Sequence, residues 1–212
     1  MTRIVLVRHG QTEWNRDERF RGRADVPLNA TGRMQAEVTG RRVAQQWRPS
    51  AVYSSPLQRA LDTAAAIAAP LGLEVQPVAG LVDINYGDWQ GLSPAEARAQ
   101  WPDLVDAWYR TPHLVHIPGG EDLDILRRRG LAALQELASR HEGETIAAVG
   151  HTVINRVLIL GALRLGNDRF WHLHQDTCAI NVLEAEAGDF TLVSLNDTCH
   201  LLPGACAAAT LP

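Results

Sequence analysis

Three short apolar runs, Ile4–Val7, Ala51–Ser54 and Ile146–Val149, are each followed by a helical repeat, and this alternation restricts the fold more than any other feature. Continuous runs of this kind predict strands of a parallel sheet buried on both faces. After the first run, Ala36, Gly40, Val43, Ala44 and Trp47 recur at helical spacing. After the second, Leu57, Leu61, Ala64, Ala65 and Ala68 do the same, with Ser55 expected as N-cap and Pro56 at the first helical position. Leu123, Leu126, Leu131, Leu134 and Ala138 mark a third helix, and Val153, Val157 and Leu160 mark a fourth behind His151. Strands alternating with helices predict an α/β fold, a three-layer α/β/α sandwich around a mostly parallel sheet. Near the end, Cys178–Glu184 and Phe190–Leu195 flank a turn at Ala187-Gly188-Asp189 and predict a β-hairpin, so the sheet is expected to be mixed. Residues 85–120 break the alternation. They hold Trp89, Trp101, Trp108 and Tyr109 and a capping box at Ser93-Pro94-Ala95-Glu96, and are expected to form a small lid inserted in one domain spanning residues 1–212.

Charge and composition exclude several classes of partner. The 212 residues carry a net charge of −4, too mild to argue for nucleic acid or an anionic membrane as partner. No apolar run approaches membrane-spanning length, and the N-terminus shows no signal-peptide pattern before Ile4. Cys178, Cys199 and Cys206 have no metal-type spacing, which favours reduced thiols in a cytoplasmic protein. The Ala-rich stretch 204–212 is expected to fray. Monomer and homodimer both remain open.

The chemistry sits where the predicted strands end. Ligands of open α/β sheets bind at the carboxyl ends of the strands. The first strand runs into Arg8-His9-Gly10, the second into Ser55-Pro56 and a helix holding Arg59, the third into Gly150-His151. If these strands are parallel and adjacent, Arg8, His9, Arg59 and His151 meet at one edge beside helix N-termini. Two guanidiniums and two imidazoles suit a phosphoryl dianion and the charge that spreads over its oxygens during transfer. A histidine kept neutral by neighbouring arginines is a competent nucleophile near pH 7.

These residues also carry a family resemblance. The stretch Arg8-His9-Gly10-Gln11-Thr12-Glu13-Trp14-Asn15 resembles the signature of the histidine phosphatase superfamily, the phosphoglycerate mutase-like proteins. The likeness continues through Gly22-Arg23-Ala24-Asp25-Val26-Pro27-Leu28, through Ser54-Ser55-Pro56-Leu57-Gln58-Arg59-Ala60, and through Val149-Gly150-His151. It implies His9 as the phosphorylated nucleophile and Arg8, Arg59 and His151 as the phosphate clamp, with no metal and no cofactor. Arg8, Asn15, Arg59, His151 and Thr152 are expected to contact the substrate, a small phosphorylated metabolite. The family's general acid falls in Leu81-Val82-Asp83-Ile84-Asn85-Tyr86-Gly87, where Asp83 stands at the position of the usual Glu. A general acid needs a raised pKa, which a bound phosphate dianion would supply. Asp83 is the candidate, with Glu13, Asp88 and Glu121 as fallbacks.

The implied activity is phosphomonoester hydrolysis. The alternatives are phosphoglycerate mutase-type transfer, and a sensor that binds a phosphorylated ligand without turnover because Asp83 is one methylene short. The stretch around Asp83 lacks the mutase form, which favours hydrolysis. His172 and His174 are read as rim residues, not metal ligands. His113 and His116 lie in the lid, where contact with substrate and simple solvation both stay open. The lid aromatics are open between packing and gripping a leaving group.

Overall fold

The computed structural model describes residues 1–202, so Cys206 and the Ala-rich end lie outside the described residues. A six-stranded sheet runs in the order β3-β2-β4-β1-β5-β6, with β1 Thr2–Arg8, β2 Ala51–Ser54, β3 Val75–Pro77, β4 Thr145–Gly150, β5 Ile180–Glu186 and β6 Asp189–Asp197. The pairs β2–β3, β2–β4 and β1–β4 are parallel, and β1–β5 and β5–β6 antiparallel. The expected mixed sheet and its terminal hairpin are therefore present. Strand β5 starts two residues later than the apolar pattern suggests, because Cys178 adopts φ of 57°, outside strand geometry.

Strand alternation divides the core into two layers. Val5, Val7, Val52, Ala147 and Val149 face α2 (Ala30–Gln46) and α3 (Gln58–Ala68), where Val43, Ala60, Ala64 and Ile67 meet them. Ile4, Leu6, Tyr53, Ile146 and Ala148 face the other way, toward Leu126 and Leu134 of α6 (Leu123–Arg140) and Val157 of α7 (Thr152–Ala162). This is the three-layer arrangement. Helices α2 and α3 pack so closely that a Cβ on Gly40 would stand 2.1 Å from the Ala66 carbonyl oxygen, so only glycine fits there. Helix α7 is buried on nearly every side, not on one stripe.

The cap of α3 differs from expectation. Leu57 occupies the N-cap position and makes no side-chain cap bond. Asp25, 33 residues upstream, accepts the Gln58 N–H at 2.7 Å instead. From this helix end the Ser55 hydroxyl accepts only the Leu57 N–H, at a long 3.4 Å, and it also meets His151, as described below.

The segment 85–120 holds α4 (Pro94–Gln100), reached after the four-residue α1 (Glu13–Arg16) near the N-terminus, and α5 (Pro102–Arg110). The predicted capping box is present, with the Ser93 hydroxyl accepting from Glu96 N–H at 3.2 Å and the Glu96 carboxylate accepting from Ser93 N–H at 2.7 Å. Trp89 is buried against Phe20 and Trp108, with ring centroids 5.3 Å and 6.3 Å away, so it is a packing residue. Among the described residues no helix is long and apolar enough to cross a membrane.

Candidate active site

Strand β4 lies between β2 and β1, with Arg8 paired in register to Gly150 and Ser54 to Val149. The carboxyl ends of the three strands therefore finish side by side. His9 and His151 follow directly, with ring centroids 5.0 Å apart. Arg59, in the first turn of α3, reaches between them: its Nε lies 3.3 Å from His9 Nε2 and 3.2 Å from His151 Nδ1. Its two terminal nitrogens are anchored at 2.7 Å on the carbonyls of Gly22 and Ala24. This explains the Gly22–Asp25 motif in physical terms: its main chain holds Arg59 and its carboxylate caps the helix that carries Arg59.

The tautomers follow from these bonds. His9 Nδ1 sits 2.6 Å from the Gly10 carbonyl, which can only accept, so Nδ1 carries the hydrogen and Nε2 presents its lone pair. His151 Nδ1 accepts from Arg59, so His151 Nε2 donates to the Ser55 hydroxyl at 2.8 Å. The turn after His9 is tied down by the Thr63 hydroxyl, which accepts Gly10 N–H at 3.1 Å. A Cβ on Gly10 would stand 2.5 Å from the Gly32 carbonyl oxygen, so the Arg-His-Gly turn needs its glycine to pack on α2.

Both imidazoles are fully enclosed and held neutral. Burial lowers their pKa well below the usual histidine range, and the adjacent guanidiniums, Arg59 foremost, push the same way. Burial and Arg21 lower Arg8 to about 9, which leaves it charged at neutral pH. Asp83 is buried, and its Oδ1 accepts from Ile154 N–H in the first turn of α7 at 3.3 Å. Its pKa is raised, with desolvation outweighing the arginines and backbone N–H groups that oppose it. The carboxyl is thus tuned as an acid by burial alone, before any phosphate arrives. Arg129 of α6 clamps the backbone that carries it, donating to the carbonyls of Gly80, Val82 and Asp83.

A pH dependence of stability follows. The folded pKa of His9 and His151 lies below the unfolded value near 6.5, so below that pH only the unfolded chain takes up these two protons. Their contribution is present above about pH 6.5 and is lost as pH falls, at about 1.4 kcal/mol per pH unit for each histidine. Urea unfolding of wild type and His151→Asn between pH 7 and 5 should show the slope drop by about one such increment. Equal slopes would show that His151 titrates normally.

The other expected residues fall as follows. Arg8, Asn15, Asp83 and Thr152 all line one cavity of about 420 Å³, walled also by Pro94, Trp108 and Tyr109 of the 85–120 segment. Thr152 Oγ1 is buried without a partner among the described residues, whereas Asn15 Oδ1 already accepts from Thr12. Glu13 is exposed and pairs with Arg16, and Asp88 is exposed. Glu121 pairs with Arg23 and Arg129 and has a lowered pKa, the wrong direction for an acid. His113, His116, His172 and His174 all point to solvent. Sequence reading missed Ser55 as the partner of His151, and missed Arg21 and Arg156, which line the same cavity. Ser55 had a local signal, since it immediately follows β2. A second cavity of about 410 Å³, bounded by Met1, Gln135 and the 185–188 turn, contains carboxylates of Glu142 and Glu186 but no arginine or histidine.

Comparison with known proteins places this geometry among relatives. Residues 4–198 match the model of the histidine phosphatase superfamily, branch 1. Phosphoserine phosphatase 1 of Hydrogenobacter thermophilus is 32% identical over 201 residues, covering 95% of each chain. A metal-independent phosphoserine phosphatase of Arabidopsis thaliana is 39% identical over 162 residues, 76% of this chain and 68% of that one. The solved structure of an Entamoeba histolytica phosphoserine phosphatase variant in complex with phosphoserine superposes with a TM-score of 0.83 at 28% identity, over 95% of this chain and 100% of that one.

Proposed function

Since this chain belongs to the histidine phosphatase superfamily, we propose that it hydrolyses phosphate monoesters of small metabolites, without a metal, through a phosphohistidine on His9. It is a phosphatase by that membership and by its likeness to the bacterial and plant phosphatases. The observation that carries the reading is the aim of His9. Its Nδ1 hydrogen is committed to the Gly10 carbonyl, and its Nε2 lone pair stands beside Arg59 and His151.

In this reading the phosphoryl dianion takes the place that Arg59 Nε now shares with the two imidazoles, held by Arg8, Arg59 and His151. Thr152 Oγ1 gains in it the partner it lacks, and Asn15 lines the approach. His9 Nε2 attacks phosphorus in line, and the ester P–O bond breaks as the N–P bond forms. Asp83, whose burial raises its pKa and so favours the acid form, gives its proton to the leaving alkoxide. The resulting carboxylate then takes a proton from water, whose oxygen attacks phosphorus and frees Nε2 and inorganic phosphate. The arginines keep their charge throughout and spread their donors over the equatorial oxygens.

A single turnover quenched in alkali should leave an acid-labile phosphoryl group on His9, read by mass spectrometry, and steady-state release of inorganic phosphate should need no acceptor. Transfer only to an acceptor alcohol would favour the mutase alternative. Binding with neither label nor release would leave a sensor.

A further inference from the structure

The cavity beyond the phosphate clamp holds two arginines that the hydrolysis of a simple ester does not use. Arg156, on the second turn of α7, is only 9% exposed, donates no hydrogen bond and forms no ion pair among the described residues. Its Nε is buried without a partner. The guanidinium rests on the faces of Phe170 and Trp171, at 5.0 Å and 4.9 Å from the ring centroids, and all three residues line the cavity. Stacking on rings fixes the plane of the fork while leaving its N–H groups unspent. Arg21 lines the same cavity from the loop after α1. Its only hydrogen bonds among the described residues run from Nη1 to the carbonyls of Trp14 and Arg19, and it too has no carboxylate partner.

A cation nine-tenths buried beside an open cavity, with no counter-charge, is costly unless something arrives to pair with it. The carboxylates lining the cavity do not serve. Asp83 is seated on the first turn of α7, and Glu18 is exposed at the rim. Asp176, nearby, is held by Asn196. We propose that Arg156 and Arg21 form a second anion site within this cavity, which selects phosphate esters whose leaving group carries its own carboxylate or phosphate and disfavours one that carries an ammonium. The proposal rests on the phosphatase reading and adds a substrate class to it. Four arginines line the cavity against two carboxylates, so an ammonium would meet mostly like charge.

The test compares kcat/KM for glycerol 1-phosphate (uncharged leaving group), 3-phosphoglycerate (carboxylate), 1,3-propanediol bisphosphate (second phosphate) and O-phosphoserine (carboxylate with ammonium). Charge-assisted hydrogen bonds to an arginine fork correspond to a preference of about 10- to 100-fold for a charged ester over glycerol 1-phosphate. O-Phosphoserine should fall below 3-phosphoglycerate, and the carboxylate and bisphosphate arms show which anion fits better. Arg156→Gln should cut the preference about tenfold, mainly through KM of the charged ester, and Arg156→Lys should restore part of it. Arg21→Gln should move the same ratio in the same direction, and it keeps the test decisive if Arg156→Gln fails to fold. A wild-type enzyme that hydrolyses all four esters equally, or variants that leave the ratio intact, would overturn the second anion site and leave the phosphatase standing. Wild type releasing phosphate from none of them would remove the phosphatase reading itself and this inference with it.

Discussion

His9→Ala should lower kcat for every phosphate ester by on the order of 10⁴- to 10⁶-fold, the scale on which removal of a covalent nucleophile acts. The loss should be the same for p-nitrophenyl phosphate and for an alkyl phosphate, because no leaving group compensates for a missing attacking atom. Binding should survive. Arg8 and His151 stay in place at the ends of β1 and β4 and Arg59 in the first turn of α3, so inorganic phosphate should still raise the melting temperature of the variant. The fold should survive too, since the turn is held by Gly10 on Gly32 and by Thr63, not by the imidazole ring. Phosphate release within tenfold of wild type would mean that another atom attacks phosphorus.

Asp83→Asn should divide substrates by how much proton they need. In kcat/KM, which reports the capture of the phosphoryl group by His9, an alkyl phosphate should lose about 10²- to 10⁴-fold, the usual span of a general acid, whereas p-nitrophenyl phosphate should lose less than about tenfold because its leaving group departs as a stable anion. Equal losses of kcat/KM on both would remove Asp83 from protonation of the leaving group. The same substitution has a stability consequence of the opposite sign. The folded pKa of Asp83 lies above the unfolded value of 3.8, so the folded state binds this proton more tightly. Its stabilising contribution is full below that value and is lost as pH rises through the folded pKa. Above the folded pKa the ionised carboxylate is therefore a net cost, imposed by burial. Asp83→Asn should raise the melting temperature at pH 8, with the gain shrinking toward pH 4. A residue whose removal stabilises the protein and stops alkyl turnover is kept for chemistry, not for folding.

Much of this was legible from the chain alone because the signals are local. A run such as Ile146–Val149 reads as a buried strand whatever surrounds it, and β4 forms there. The Ser93–Glu96 box carries donor and acceptor within four residues, so it closes as expected. Arg8, His9 and His151 stand directly after apolar strands, and pairing of β2, β4 and β1 brings them together with Arg59. What went astray was what depends on distant partners. Ser55 has the local look of a cap and accepts the Leu57 N–H, but its hydroxyl also meets His151, 96 residues away, and Asp25 accepts the Gln58 N–H of the helix. Nothing near Arg21 or Arg156 in the sequence sets them apart from surface arginines. A long flexible side chain is assigned to solvent or cavity only by what packs around it, and Phe170 and Trp171 do that for Arg156.

The sequence by itself determined where β1, β2, β4 and the terminal hairpin lie, and that Arg8, His9 and His151 stand at strand ends, because periodicity and strand-terminal position act over a few residues. The tertiary structure alone decided the tautomers of His9 and His151, the raised pKa of Asp83, and the two cavity arginines that lack a carboxylate partner among the described residues. Hydrogen-bond direction and desolvation exist only once residues far apart in the chain enclose one another and exclude water.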